Sequence, residues 1–150
     1  MDDNALILIV VIAILIIMSA YFSATETAFS SLNKIKLKNL AANGSKRAEN
    51  TINLDKKFDS ILSTILIGNN IVNIASASIA TIVFTKYYGD AGVTISTIVM
   101  TIVVLIFGEI SPKSLSKESP EKFAMFSTPI LKVLLIIFTP LNFVFGLWKK

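Results

Sequence analysis

The sequence contains no cysteine and no histidine in 150 residues. The first absence excludes disulfide frameworks and thiolate metal sites; the second excludes imidazole ligands, histidine general bases and Ser-His-Asp triads. Without these residues or paired aspartates no catalytic set is visible, so an enzyme is not expected. Charge is scarce as well: 16% of residues are Asp, Glu, Lys or Arg while 53% are hydrophobic, and the mean hydropathy is +0.71. Soluble domains carry about 25% charged residues. Several apolar runs of membrane length complete the pattern, which is that of a membrane domain. The net charge of +4 matters less than where the charges fall.

The first apolar run covers residues 5–22, close to the roughly 20 residues a bilayer crossing needs. A signal peptide would open on basic residues, but Asp2 and Asp3 stand there and no cleavage site interrupts the run; it is read as a retained span. Ser19, Ser23, Glu26 and Ser30 follow one another at spacings of four, three and four, on one face of a helix. Residues 33–57 are basic: Lys34, Lys36, Lys38, Lys46, Arg47, Lys56 and Lys57 against Glu49 and Asp55. Their apolar positions fit one or two short helices broken near Asn43-Gly44. Such helices would lie on the cytoplasmic leaflet, lysines toward anionic head groups. No aromatic residues are interleaved with the lysines, so nucleic acid is not an expected partner.

Basic loops stay in the cytoplasm, which puts the N-terminus outside. Residues 61–84 then lead outward, residues 86–90 turn, and residues 91–111 return, with Lys113, Lys117 and Lys122 inside. Residues 123–148 are divided by Pro129 and Pro140 and end on Lys149 and Lys150. A bent segment that begins and ends on the cytoplasmic side fits them, and the lack of a polar tail suggests that a cytosolic region continues the chain. The expected fold is an all-α membrane protein. Residues 1–150 form one transmembrane domain, with three transmembrane helices per protomer, short cytoplasmic-face helices and a bent C-terminal juxtamembrane helical segment.

Residues 107–113, Phe-Gly-Glu-Ile-Ser-Pro-Lys, end the third run with a carboxylate that is expensive to leave unpaired there. Pro112 disfavours helical geometry at Ser111 and removes one ladder bond, so carbonyls near Gly108 are expected to be freed. Carbonyls and a carboxylate are hard ligands, suited to magnesium, calcium or sodium. In the second run Asn69, Asn73 and Ser76 share a helix face. Periodicity alone does not separate an ion ligand from helix-helix glue, for which Gly68, Ala75, Ala77 and Ser78 are also suited. Yet three segments each bring oxygens: Ser23 and Glu26, then Asn69 and Asn73, then the Gly108 carbonyl and Glu109. Glue does not require two carboxylates. The plainer alternative is a rim salt bridge for each, Glu26 with Lys34 or Lys36 and Glu109 with Lys113.

Phe22-Ser-Ala-Thr-Glu-Thr-Ala28, Leu66-Ile-Gly-Asn-Asn-Ile-Val-Asn73 and Phe107-Gly-Glu-Ile-Ser-Pro-Lys113, with a basic loop after the first, closely resemble the transmembrane domain of the CorB/CorC and cyclin M (CNNM) magnesium transporters. The resemblance covers essentially the whole chain. It implies a homodimer in the plasma membrane, N-terminus outside and C-terminus cytoplasmic, followed in full-length relatives by a cytosolic CBS-pair module that binds ATP-magnesium. ATP is therefore expected only through that absent region. The resemblance also implies an intramembrane site using Ser23, Asn69 with Asn73 near it, and the Gly108-Glu109 turn, with Pro112 opening the helix and Lys113 at the interface. Magnesium would be the transported ion, with efflux the favoured direction and sodium a candidate coupling ion. The alternative is a membrane anchor or sensor for the cytosolic module, without transport of its own.

Overall fold

Among the described residues, three helices are each long and apolar enough to cross a membrane. The first, α1 (Asp3–Ser30), is apolar on nearly every side, as suits a helix among lipid or neighbouring helices. Its 28 residues reach about 42 Å at ~1.5 Å per residue, more than the roughly 30 Å hydrocarbon layer. After the short helices α2 (Lys34–Ala42) and α3 (Lys46–Asp55), the second long helix is α4 (Phe58–Tyr88). The third begins as α5 (Ala91–Val103), widens into a π-helical stretch, Val104–Ile110, and continues as α6 (Ser111–Glu118). Two more helices follow, α7 (Pro120–Ile137) and α8 (Thr139–Lys149). This computed structural model describes residues 1–149, without the side chains of Phe145 and Lys149. The described residues contain no strand and are 90% helical. Lys150 and the Lys149 side chain, on which the charge argument drew, lie outside the described part.

The local signals explain most boundaries. Asn33 and Ser45 cap α2 and α3, each side-chain oxygen accepting from a backbone N–H three residues on, at 3.1 and 3.2 Å. Between them Gly44 takes φ 97°, a conformation glycine adopts without a Cβ penalty. The expected break at Asn43-Gly44 is there, and it separates two helices. Phe138 interrupts the C-terminal segment, where α7 and α8 meet at a 65° bend. Pro140, in the first turn of α8, accounts for the break just before it. Pro129 does not divide the segment as expected: it lies inside α7, which runs on past it.

The third helix departs further from expectation. Pro112 does not open it: Ser111 is helical at φ −65°, ψ −46° and the chain stays helical to Glu118. The physical reason lies in the wider turn before it. Proline has no N–H to give to the Gly108 carbonyl four residues back. Over Val104–Ile110 the ladder moves to the longer spacing, and Ser111 N–H bonds the Ile106 carbonyl five residues back. The missing donor is absorbed by a change of register, and Pro112 sits in the first turn of α6, where proline is tolerated.

The described chain divides into two compact units to which the long helices each contribute. The first comprises Met1–Ser23 and Gly68–Ser114. Here the α4-α5 turn uses Gly89 at φ 62°, and a Cβ on Gly92 would fall 2.5 Å from the Thr85 backbone, so only glycine fits that contact. The turn is tighter than expected, because α4 runs on to Tyr88. Thr81 and Ser96 hydroxyls meet at 3.3 Å across it. At the start of α1, Asp2 accepts from Ala5 N–H at 3.0 Å and pairs with Lys86, whose hydrogen bond holds its carboxyl below the usual range.

The second unit comprises Ala24–Ile67 and residues 115–149. Its α2-α3 pair packs on α7 with Leu37, Ala48, Leu54, Ala124 and Leu131 buried. Hydroxyls tie this core: Thr51 to Thr128 at 2.8 Å, Thr25 to Ser127 at 3.3 Å, and Ser116 donating to the Ala24 carbonyl at 2.6 Å. The buried Glu121 receives the Asn33 N–H at 3.2 Å and lies 4.0 Å from Lys36, while Lys34 lies 3.6 Å from Asp55.

Candidate ion site

The polar residues of the first unit converge on one hydroxyl. Ser19, buried on α1, donates from Oγ to Asn69 Oδ1 on α4 at 2.9 Å. Asn73, one turn further along α4, donates from Nδ2 to the same oxygen at 3.4 Å. From the third helix comes Gly108, buried within the π-helical stretch; a Cβ there would lie 2.9 Å from Ser19 Oγ. The missing Cβ is thus what lets this backbone approach the Ser19 hydroxyl without displacing it. The stretch that makes the approach is the one whose register Pro112 shifts, and such wide turns recur at functional sites.

Two buried acceptors are left over. Ser23 Oγ and Asn73 Oδ1 have no hydrogen-bond partner. Ser23, 1% exposed, follows Ser19 by one turn and therefore shares its helix face. A buried polar atom without a partner costs about 1 to 3 kcal/mol and calls for an explanation such as an ion or a water. Glu109, next to Gly108 and partly exposed, forms no ion pair among the described residues, so the Glu109-Lys113 bridge is not made.

Of the residues read from the sequence, Asn69, Asn73 and Gly108 are brought together through Ser19, with Ser23 and Glu109 beside them in the chain. Glu26 is not part of this grouping: it falls in the second unit and is engaged in an interaction of its own. Lys34 and Lys36, its suggested partners, pair with Asp55 and Glu121. Ser19 is the residue the site reading missed. Its spacing of four from Ser23 placed it on the polar face, but no motif distinguished it from Ser30. A cavity of about 240 Å³ beside Asn73 was missed too. It is lined by Thr81, Ser96, Thr97 and Thr101. Thr81, Thr97 and Thr101 donate to carbonyls four residues back at 3.0, 2.8 and 2.6 Å, so their oxygens can offer only lone pairs to the cavity.

Chemically the grouping is a set of neutral oxygens with one carboxylate nearby. No three acidic side chains converge among the described residues. Affinity for a cation would have to come from hydroxyl, amide and carbonyl oxygens, the ligand types that suit hard ions.

Fold and grouping together define a multi-pass membrane domain with a polar cluster inside its spans. The chain belongs to the cyclin M transmembrane N-terminal domain family, which residues 10–149 match. It is 44% identical over 143 residues to a UPF0053 protein of Haemophilus influenzae, covering 95% of this chain and 34% of that protein. It is 45% identical over 123 residues to the UPF0053 inner membrane protein YfjD of Escherichia coli, covering 82% of this chain and 29% of the relative. A more distant match, 26% identical over 150 residues, is the polyamine export protein of Haemophilus influenzae, covering 91% of this chain and 35% of that protein. The chain thus spans about a third of the length of these curated relatives.

Proposed function

We propose that this domain carries magnesium across the cell membrane, using the oxygens of Ser23, Asn69, Asn73 and the Gly108-Glu109 turn, with Ser19 holding Asn69 in place. The observation that carries the proposal is the pair of buried, unpartnered acceptors, Ser23 Oγ and Asn73 Oδ1, in the unit where Gly108 comes close to the Ser19 hydroxyl. Magnesium dehydrates reluctantly and takes oxygens at about 2.0 to 2.1 Å, so a site in apolar surroundings must replace its waters closely or keep some. The hydroxyl-lined cavity beside Asn73 supplies acceptors for retained waters, whose hydrogens point away from the ion. Glu109 offsets part of the ion's charge, directly or through water.

The relative named for polyamine export supplies a second reading, a long polycation in place of a small ion. Neutral oxygens gathered on one serine favour the small ion, because an extended ammonium chain is matched by several spaced carboxylates. Flux of magnesium and of spermidine into vesicles reconstituted with the purified domain separates the two. Magnesium flux with no spermidine flux is expected; spermidine flux alone overturns the proposal. Absence of both leaves the anchor or sensor of a cytosolic module in its place.

For orientation, the proposal puts the N-terminus outside, because the lysines of α2 and α3 and those at Lys113, Lys117 and Lys122 belong in the cytoplasm. The chain lacks cysteine, so each single substitution gives a clean label. In intact cells an impermeant thiol reagent should reach Asp90→Cys and not Lys46→Cys. Labelling of Lys46→Cys from outside reverses the orientation.

A homodimer is part of the same proposal. Three thin spans leave much apolar surface uncovered, including Ile74, Ile82, Ile98 and Ile102, and little protein around a polar cluster. Particle mass in detergent, corrected for bound lipid, should equal two chains. A monomer that still binds magnesium removes the dimer from the proposal.

A further inference from the structure

In the second unit, α3, α7 and the start of α8 enclose a groove of about 450 Å³. Its lining combines the polar side chains of Lys57, Lys132, Asn53 and Thr139 with the apolar ones of Leu54, Leu135 and Ile136. We propose that this groove binds the head and upper acyl chain of an anionic phospholipid.

The placement of Lys132 motivates the proposal. It is the single charged residue between Lys122 and Lys149, in the run Ile130-Leu-Lys-Val-Leu-Leu-Ile-Ile137. Around it on α7, Phe126, Val133, Ile136 and Ile137 are 62%, 56%, 74% and 62% exposed, an apolar face that suits the acyl boundary of a bilayer. A cation in that setting requires an anion. Neither Lys132 nor Lys57 has a carboxylate within 4.0 Å among the described residues, whereas Lys34 and Lys36 of the same unit do. Asp55, close to Lys57 in sequence, is taken by Lys34.

Helix ends do not neutralise the two lysines. α3 ends at Asp55 and α7 at Ile137, and each C-terminus carries roughly half a negative charge. Two such ends offset about one of the two ammonium charges. The groove keeps a net positive charge above an apolar floor. The phosphate of a phospholipid accepts from both ammonium groups and its chain lies along Leu54, Leu135 and Ile136; Asn53 is the remaining donor, within reach of a glycerol or ester oxygen. Thr139 is not one, because its hydroxyl donates to the Leu135 carbonyl at 2.7 Å. A free phosphate would leave the apolar floor uncovered, which is why the occupant is a lipid.

The test uses the whole chain in mixed micelles, titrated with phosphatidylglycerol or phosphatidylcholine, with bound lipid counted by native mass spectrometry. Phosphatidylglycerol should bind in preference. The double variant Lys57→Gln/Lys132→Gln should weaken its binding about twenty-five-fold, roughly five-fold per lysine, without changing phosphatidylcholine. Lys38→Gln/Lys117→Gln, which removes two exposed lysines outside the groove, should keep the preference. The proposal is overturned if the groove variant retains it, or if the control pair loses as much and diffuse surface charge is responsible. It is also overturned if inorganic phosphate displaces phosphatidylglycerol at equal concentration, which would mark a site for a free anion. Both substituted pairs can be measured without magnesium flux, so the outcome is independent of the transport proposal.

Discussion

Asn69→Ala is expected to reduce magnesium flux in reconstituted vesicles by about 30-fold or more, because it removes the oxygen on which Ser19 and Asn73 both converge. A hydrogen-bonding group facing a charge contributes about 2 kcal/mol, which corresponds to that factor. Without Asn69 the donors of Ser19 and Asn73 lose their shared acceptor, and such interhelical bonds are worth about 0.6 to 2 kcal/mol in a membrane. The metal-free domain should therefore melt somewhat lower and remain helical. Magnesium-dependent thermal stabilisation, which reports binding to the folded state, should disappear with the flux. Glu109→Gln complements this test, because it changes charge at nearly constant shape and breaks no ion pair among the described residues. It should abolish flux with little change in metal-free melting. Ser116→Ala would be a poor neutral control, since Ser116 is 3% exposed and donates to the Ala24 carbonyl. Ser60→Ala, exposed in the first turn of α4 and several turns from Ile74 and Ile82, serves instead. Normal flux in both Asn69→Ala and Glu109→Gln would remove the cluster from the transport path.

The spans, the capped helices α2 and α3 and the break at Gly44 were legible because their causes are local: uninterrupted apolar length, Asn and Ser at N-cap positions, and a glycine between them. The bend between α7 and α8 was legible for the same reason, through Pro140. Pro129 and Pro112 were misjudged because the cost of a proline depends on what the neighbouring turns do. At Pro112 the ladder changes register instead of ending, and nothing in the residues 104–110 announces a π-helical stretch. Glu121 was unremarkable in sequence among Lys113, Lys117 and Lys122, yet it is buried against the start of α2, a partner 88 positions away in Asn33. Within the site, Asn69, Asn73 and Gly108 could be proposed from their isolation in apolar runs, where a polar group must be satisfied. Ser19 could not be singled out, because its role is defined by what α4 and the third helix bring to it. The role of Ser116 is hidden for the corresponding reason: its acceptor, the Ala24 carbonyl, belongs to another helix, and periodicity carries no information about that.

Gly108→Ala separates space from chemistry in the cluster. A Cβ at residue 108 would stand 2.9 Å from Ser19 Oγ, 3.5 Å from Ser19 Cβ and 3.6 Å from Val104 Cγ1. Only the first distance is too short, so the methyl group conflicts with the Ser19 hydroxyl and with little else. The hydroxyl has to move, and its 2.9 Å bond to Asn69 is lost. Overpacking of this kind costs about 1 to 3 kcal/mol, partly offset by the better helix propensity of alanine. Flux should fall at least about tenfold as Asn69 loses its support, with a modest drop in melting temperature. Adding Ser19→Ala removes the conflict and leaves Cβ atoms at ordinary separation, so Gly108→Ala/Ser19→Ala should regain stability yet stay inactive. Gly146→Ala, where nothing lies within 4 Å of the new methyl, should leave flux unchanged. If Gly108→Ala transports normally, the close approach of the third helix to Ser19 is packing alone; if the double variant recovers flux, space at residue 108 matters and the Ser19 hydroxyl does not.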